Sequence, residues 1–322
     1  MILVLLLSIP FPFRAQVVQT LRVSTLREAA WAMRQSPVTV TASRCPRSAG
    51  GPHDFYSEAD YFWPNPKSPD SAYIEKDGQT DPGNFNDHRL AMIRLSRIIG
   101  ALASAYALTG DDRYVRQALL HARAWFARYI EWLMTSAPGK TEMSALNNHG
   151  TCWVMQVAAF ARFTGNDSVL NFCRNRYKMV LLPGQMAADG SFPLELKRTK
   201  PYGYSIFNLD AMTAVCQLLS VPDDDLWHYS TPDGRSIQKG IAFLYPYITA
   251  KDKWPYAHDV MHWEEWPVAQ PFLVFGANAF DRGDWLRTWE GLDHQPAGQE
   301  VVRNLPVRHP LIWFLTGDLF GG

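Results

Sequence analysis

From His88 onward, Met92, Leu95, Ile98, Ile99, Leu102 and Tyr106 return at three- and four-residue steps. That spacing draws one apolar stripe along a helix, and the stripe has to be buried against a partner. It stops at Thr109-Gly110, where glycine can supply the left-handed residue that closes a helix. Asp111 then stands where the next helix, RYVRQALLHARAWF, needs a cap. The same device returns in VMQVAAFARFTGNDSVLNFCRNRY, where Thr164-Gly165 ends one helix and Asn166 or Asp167 begins another. Two such hairpins, with a third pair expected from Leu209 through Leu219, bury their faces only by stacking on one another. Strand-like alternation is scarce. The chain reads as all-α, an α/α toroid or incomplete barrel of antiparallel helix hairpins, with irregular helical packing as the plainer alternative.

Two stretches interrupt the helical pattern. Residues 53–87, HDFYSEADYFWPNPKSPDSAYIEKDGQTDPGNFND, are rich in Pro, Asp, Gly and aromatics and are expected to form a long ordered loop. Residues 183–205, PGQMAADGSFPLELKRTKPYGYS, form a second. Long loops in compact domains commonly carry function.

Hydrophobic residues make up 47% of the 322-residue chain and charged residues 19%, which describes a folded globular protein. Formal net charge is zero with no basic block, so nucleic acid gets no support as a partner, while a local basic pocket for a polyanion stays open. Aromatics reach 13% with 12 Trp, which suits a cleft that stacks sugar rings and equally suits a large aromatic core. The N-terminus, MILVLLLSIPFPFRAQ, has an apolar run too short to span a bilayer, with small residues near Ala15. It reads as a signal peptide over 1–16, followed by one domain over 17–322 in a periplasmic or secreted protein with no membrane contact in the mature form. Cys45, Cys152, Cys173 and Cys216 show neither CxxC nor zinc spacing. Buried free thiols are expected, with one disulfide as the alternative in an exported chain.

The stretch MSALNNHGTCW places Asn147, Asn148 and His149 in a row inside an apolar segment. The following loop carries Arg198, Tyr202 and Tyr204. GxSxG, HExxH, P-loop and GxGxxG motifs do not occur. An amide, an imidazole, a guanidinium and a phenol suit β-elimination on a uronic acid. There the C5 proton beside the carboxylate leaves and the C4–O4 bond breaks. Donors such as Asn148 and Arg198 around the carboxylate would stabilise the developing second negative charge. Tyr or His would take the proton and protonate O4, and a cation beside a Tyr base would ease its ionisation. No metal or organic cofactor is required.

Several stretches carry a resemblance: HDFYSEADYFWPNP, NFNDHRLAMIRLS, NNHGTCWVMQVAAFA, AADGSFPLELKRTKPYGYSIFNLDAM, VMHWEEWPVAQPFL and RNLPVRHP. In order over much of 53–310, they resemble the alginate-lyase-like polysaccharide lyases, α/α-toroid enzymes acting on poly-uronates, and most nearly a branch with glucuronan and alginate lyases. The NNH run and the R-x5-Y spacing are the most specific. The resemblance implies Asn148, His149, Arg198 and Tyr204 as catalytic residues. Tyr204 would be the acid, and also the base when proton and leaving group share a face. His149 and Asn148 would neutralise the carboxylate, with His149 as base for the opposite epimer. Tyr56, Tyr61, Trp63, His88, Tyr202 and Trp263 are the candidate substrate contacts. One departure stands out: ARAWFARYIEWL runs straight through where relatives carry more residues, an internal deletion near 126–131 of one or two helices that line the cleft.

Each assignment has a plainer counterpart. His149 could be a satisfied core histidine, Asn148 a helix cap, Arg198 part of a solvated basic loop with Lys197 and Lys200, and Tyr202 a packing aromatic. Tyr56, Tyr61 and Trp63 could anchor a loop. His258 and His262 could pair on a helix to hold a metal but lack a third ligand. Two other functions remain open: a glycoside hydrolase using Asp189 and Glu195, and an inactive shortened relative that binds uronans. The sequence leaves the oligomeric state undecided.

Overall fold

A computed structural model describes residues 13–51, 54–67, 73–125 and 129–314. Most of the 1–16 segment and the 126–128 part of the short junction lie outside the described residues. Ala15 lies in the first turn of helix α1 (Arg14–Ala32). The described residues gather into two compact units within the stretch read as one domain: 22–125, and 13–21 with 129–314.

In the smaller unit, the loop after α1 leads to a two-stranded antiparallel sheet of β1 (Phe62–Trp63) and β2 (Ile74–Glu75), with Phe62 opposite Glu75. Helix α2 (Asp87–Thr109) then packs against α3 (Asp112–Trp125). Gly110 closes α2 at φ 68°, and Asp111 accepts from the Arg113 N–H at 2.9 Å, as the sequence predicts. Ala32, Ile98, Ala101 and Leu102 form a core here. By length and composition α2 could cross a membrane, but these buried residues spend its apolar face on packing.

The described part of the long loop gathers around one carboxylate. Glu58 is 3% exposed and takes a bidentate contact from Arg47 at 2.5 and 2.6 Å. It also accepts from the hydroxyls of Tyr73 and Tyr56 and from the Phe85 N–H at 2.7 Å, at the threshold of α2.

The larger unit runs through α4 (Tyr129–Thr135), α5 (Ala137–Ser144), α6 (Asn148–Thr164) and α7 (Asp167–Arg176). A π-helical turn (Tyr177–Leu181) leads into α8 (Leu182–Gln185), then α9 (Pro201–Leu219), α10 (Ile237–Thr249), α11 (Pro271–Phe280), α12 (Gly283–Glu290) and α13 (Gln299–Arg303). Gly165 ends α6 at φ 67° and the Asn166 side chain caps α7 through the Val169 N–H, completing the second predicted hairpin. Helix α9 is the centre of this unit. Of its 19 residues only Tyr204, Phe207 and Gln217 are not buried.

Helices α6 and α9 run in the same direction. Gln185 accepts from Thr151 near the start of α6 and from Asn208 in α9, at 3.0 and 2.9 Å. At the other end the Arg162 guanidinium donates to the Leu218 carbonyl at 2.8 Å.

Helix α9 starts at Pro201, eight residues earlier than the apolar pattern suggests, so Tyr202 and Tyr204 belong to its first turn and not to a loop. The reason is a borrowed cap. Lys200 has no capping side chain, and Asp259 accepts from the N–H groups of Tyr202 and Gly203 at 2.8 and 2.9 Å instead. A side chain on Gly203 would run into that carboxylate, 2.8 Å from the Cβ position.

All four cysteines are free, and Cys45, Cys173 and Cys216 are buried, as expected of the plainer reading.

Glu58 provides a test of the smaller unit. Its contact with Arg47, opposed by burial and helped by the Tyr hydroxyls, holds its pKa down at about 2. A carboxylate held below its unfolded value contributes fully above that value and loses the contribution as pH falls through the folded one. Stability of this unit should therefore decline between pH 4.5 and about 2. Glu58→Gln should cost about 2 kcal/mol near neutral pH, allowing for the half-open Arg47, and should flatten that decline in chaotrope melts.

Candidate functional site

The NNH run is divided among three tasks. Asn147 is the N-cap of α6, its side chain accepting from the His149 N–H at 3.2 Å. Asn148, 4% exposed, donates to Glu195 twice: backbone N–H to Oε1 at 2.7 Å and amide Nδ2 to Oε2 at 2.8 Å. His149 is exposed and meets Glu142 of α5, Nδ1 to Oε2 at 2.7 Å. The turn is tight. A Cβ on Gly150 would lie 2.2 Å from the Ala145 carbonyl oxygen, so glycine is required there.

Arg198 follows Glu195 by one turn, and its guanidinium lies over the Tyr204 ring at 4.1 Å while donating to the Tyr204 hydroxyl at 3.1 Å. Lys200 Nζ sits 5.4 Å from the same ring and pairs with Glu300, which also holds Arg303 at 2.6 Å. The hydrogen bond to Glu142 raises the His149 pKa against burial, with Arg198 near enough to lower it and Glu195 to raise it. The same pair lowers the Glu142 pKa. Arg198 thus touches Tyr204 at the start of α9 and acts through its charge on His149 at the start of α6. Each of these starts is the positive end of its helix dipole.

Tyr202 and Tyr204 separate cleanly. Tyr202 is fully buried, its hydroxyl donating to the Tyr247 carbonyl at 2.9 Å and its ring lying 5.1 and 5.2 Å from Trp254 and Trp263. It is a packing aromatic. Trp263 stacks on His258 at 4.0 Å and takes Lys251 Nζ at 4.2 Å, so much of its ring is already covered.

In the smaller unit His88 is 4% exposed. Its Nδ1 accepts from the Tyr56 N–H at 3.0 Å, which leaves the proton on Nε2, 2.9 Å from the Ser43 carbonyl. Neither ring nitrogen is left for a ligand, and this is a satisfied core histidine. Tyr56 is tied to Glu58 and Tyr73 through its hydroxyl, Tyr61 packs on Phe62 at 5.1 Å, and Trp63 takes Lys76 Nζ at 4.5 Å.

His258 and His262, weighed above as a helical metal pair lacking a third ligand, do not lie on a helix. His262 has φ 64° and gives its Nδ1 to Glu265, while His258 stacks on Trp263. Among the described residues no three His, Cys, Asp or Glu converge as metal ligands. The two-carboxylate hydrolase also loses its geometry. Both Glu195 oxygens hold Asn148, and Asp189 accepts from the N–H and hydroxyl of Ser191, which lowers its pKa.

Glu142 had no signal in GKTEMS. Glu195 was visible only as a rival catalytic acid, because its true partner, Asn148, is 47 residues away.

The scaffold is helical, and the candidate site sets a guanidinium, a phenol and an imidazole near the first turns of two of its helices. The sequence profile described as Alginate lyase matches residues 39–129 and 121–254, two segments that overlap at the short junction. The chain belongs to the alginate lyase family, and by class it is a polysaccharide lyase. An alginate lyase from Bacteroides ovatus superposes with TM-score 0.71 at 24% identity, over 94% of this chain and 97% of that one. Alginate lyase A1-III from Sphingomonas species A1 gives 0.50 at 17%, over 86% and 93%. A variant of A1-III complexed with a tetrasaccharide gives 0.50 at 15%, over 90% and 100%. At these identities the likeness is one of fold, the α/α toroid read from the helical hairpins. No curated protein matches the sequence.

Glu195→Ala should strand the Asn148 N–H groups and cost about 2 kcal/mol, and Glu195→Gln about half that, because the amide keeps one acceptor. Chaotrope midpoints at pH 7 read both.

Proposed function

We propose that the protein cleaves alginate, or a closely related 1,4-linked uronan, by β-elimination. The observation that carries this reading is the Arg198–Tyr204 pair, guanidinium to hydroxyl at 3.1 Å, with His149 at the start of α6 within electrostatic reach of Arg198. The named substrate of the structural relatives favours alginate over glucuronan.

Elimination breaks the C5–H and C4–O4 bonds, forms C4=C5, and delivers one proton to O4. A guanidinium donating to a phenol oxygen stabilises negative charge there, which fits Tyr204 for both proton transfers when C5–H and O4 share a face. Arg198, the imidazolium form of His149 and the second amide N–H of Asn148 oppose the charge that builds on the substrate carboxylate. The amide's other N–H stays on Glu195. Tyr204 suits the acid role by position, as the one partly open residue in the first turn of a buried helix. A polymer that cannot cross a membrane also accords with the export signal read in residues 1–16.

Purified protein incubated with alginate should generate the ultraviolet absorbance of a conjugated C4=C5 uronate, and its products should carry unsaturated ends. Tyr204→Phe should lower kcat by about 100-fold or more with an unchanged circular dichroism spectrum. Saturated ends would indicate hydrolysis. Folded protein giving no signal on alginate, polymannuronate, polyguluronate or polyglucuronate would overturn the proposal.

A further inference from the structure

We infer that Glu142 is a positioning residue for His149, fixing the imidazole proton on Nδ1 so that Nε2 is the nitrogen offered to the substrate. The contact is Oε2 to Nδ1 at 2.7 Å. An ionised carboxylate can only accept a hydrogen bond, and the ion pair lowers the Glu142 pKa. Nδ1 must therefore be the donor. The proton that titrates is then the one on Nε2.

By surface area this is an open ion pair, with 47% of the His149 side chain and 49% of the Glu142 side chain exposed. Such pairs contribute about 0–1 kcal/mol to stability. What separates this one from an incidental surface pair is that both backbones are held. Three residues connect α5 to α6. Arg176 donates to the Met143 carbonyl, next to Glu142. Gln185 donates to the Asn147 carbonyl at 2.8 Å, and the Asn147 side chain holds the His149 N–H. The approach of Gly150 to the Ala145 carbonyl closes the corner. The two side chains meet across a fixed turn.

The charged groups that bear on the imidazole come from three places. Glu142 on α5 raises its pKa and is the largest influence, Glu195 raises it further, and Arg198 lowers it. Replacing the Glu142 carboxylate by an amide leaves Arg198 less opposed, so His149 should lose its proton at lower pH. The consequence for turnover rests on the lyase reading above; the geometry of the pair does not.

The test uses nitrogen-15 NMR of the imidazole in the full chain, with Glu142→Gln and Glu142→Asp beside the wild type. Profiles of kcat and KM against pH are taken on alginate. In Glu142→Gln the His149 titration should move to lower pH and the Nδ1–H tautomer should lose population. Any limb of the rate profile set by His149 should move the same way, with kcat down on the order of tenfold and KM little changed. Glu142→Asp should recover part of each effect. An unchanged titration and tautomer in Glu142→Gln would overturn the inference whatever the activity, and so would a shifted titration with an unchanged rate profile. A shifted titration in a protein that cleaves no uronan would support the Glu142–His149 pair and remove the lyase reading instead.

Discussion

Buried carboxylates at helix N-termini organise the larger unit. Glu195 closes α6, Asp259 closes α9, and Asp210, at the middle of α9, accepts from the Phe272 N–H of α11 at 2.9 Å. A helix start leaves N–H groups without partners, and a buried carboxylate needs donors. Each deficit answers the other, and the partner is 47 to 62 residues away in sequence. Burial raises the pKa of all three acids, while the N–H groups they hold pull in the opposite sense. Each acid therefore works as an anchor that ties one helix end to a distant segment.

The candidate site follows from two of these anchors. Glu195 draws the segment carrying Arg198 onto the first residue of α6, and Asp259 lets α9 begin at Pro201. Together they bring His149 and Tyr204 to the same region, with Arg198 touching both electrostatically and the phenol directly. Lys200 and Glu300 add a second charged layer beside the Tyr204 ring. The carboxylates of the site orient other groups: Glu195 holds Asn148 and Glu142 holds His149. On the proposed reading, proton transfer is left to the phenol and the imidazole.

Tyr202 and Tyr204 show where sequence reasoning stops. Read as loop residues they compete for one role, and only the spacing from Arg198 favours the second. On a helix, two positions apart is more than half a turn, so one ring points into the core and the other out of it. Local sequence hides that helix because its cap comes from Asp259, 57 residues away. His88 is another such case. A histidine at the start of an apolar stripe looks available, yet its ring is taken up by the Tyr56 N–H and the Ser43 carbonyl, which approach it from separate stretches of loop.

The residues alone determined the helical hairpins, their Thr-Gly corners and polar caps, and the polar NNH and R-x5-Y groups set among apolar neighbours. These are properties of spacings shorter than two helical turns, where side-chain periodicity and capping act directly. Tertiary structure decided what the other polar groups do: Asn148 a tie to Glu195, His149 a partner of Glu142, Tyr204 partly open and Tyr202 enclosed. Such roles depend on hydrogen bonds between segments that only packing brings within 3 Å of each other.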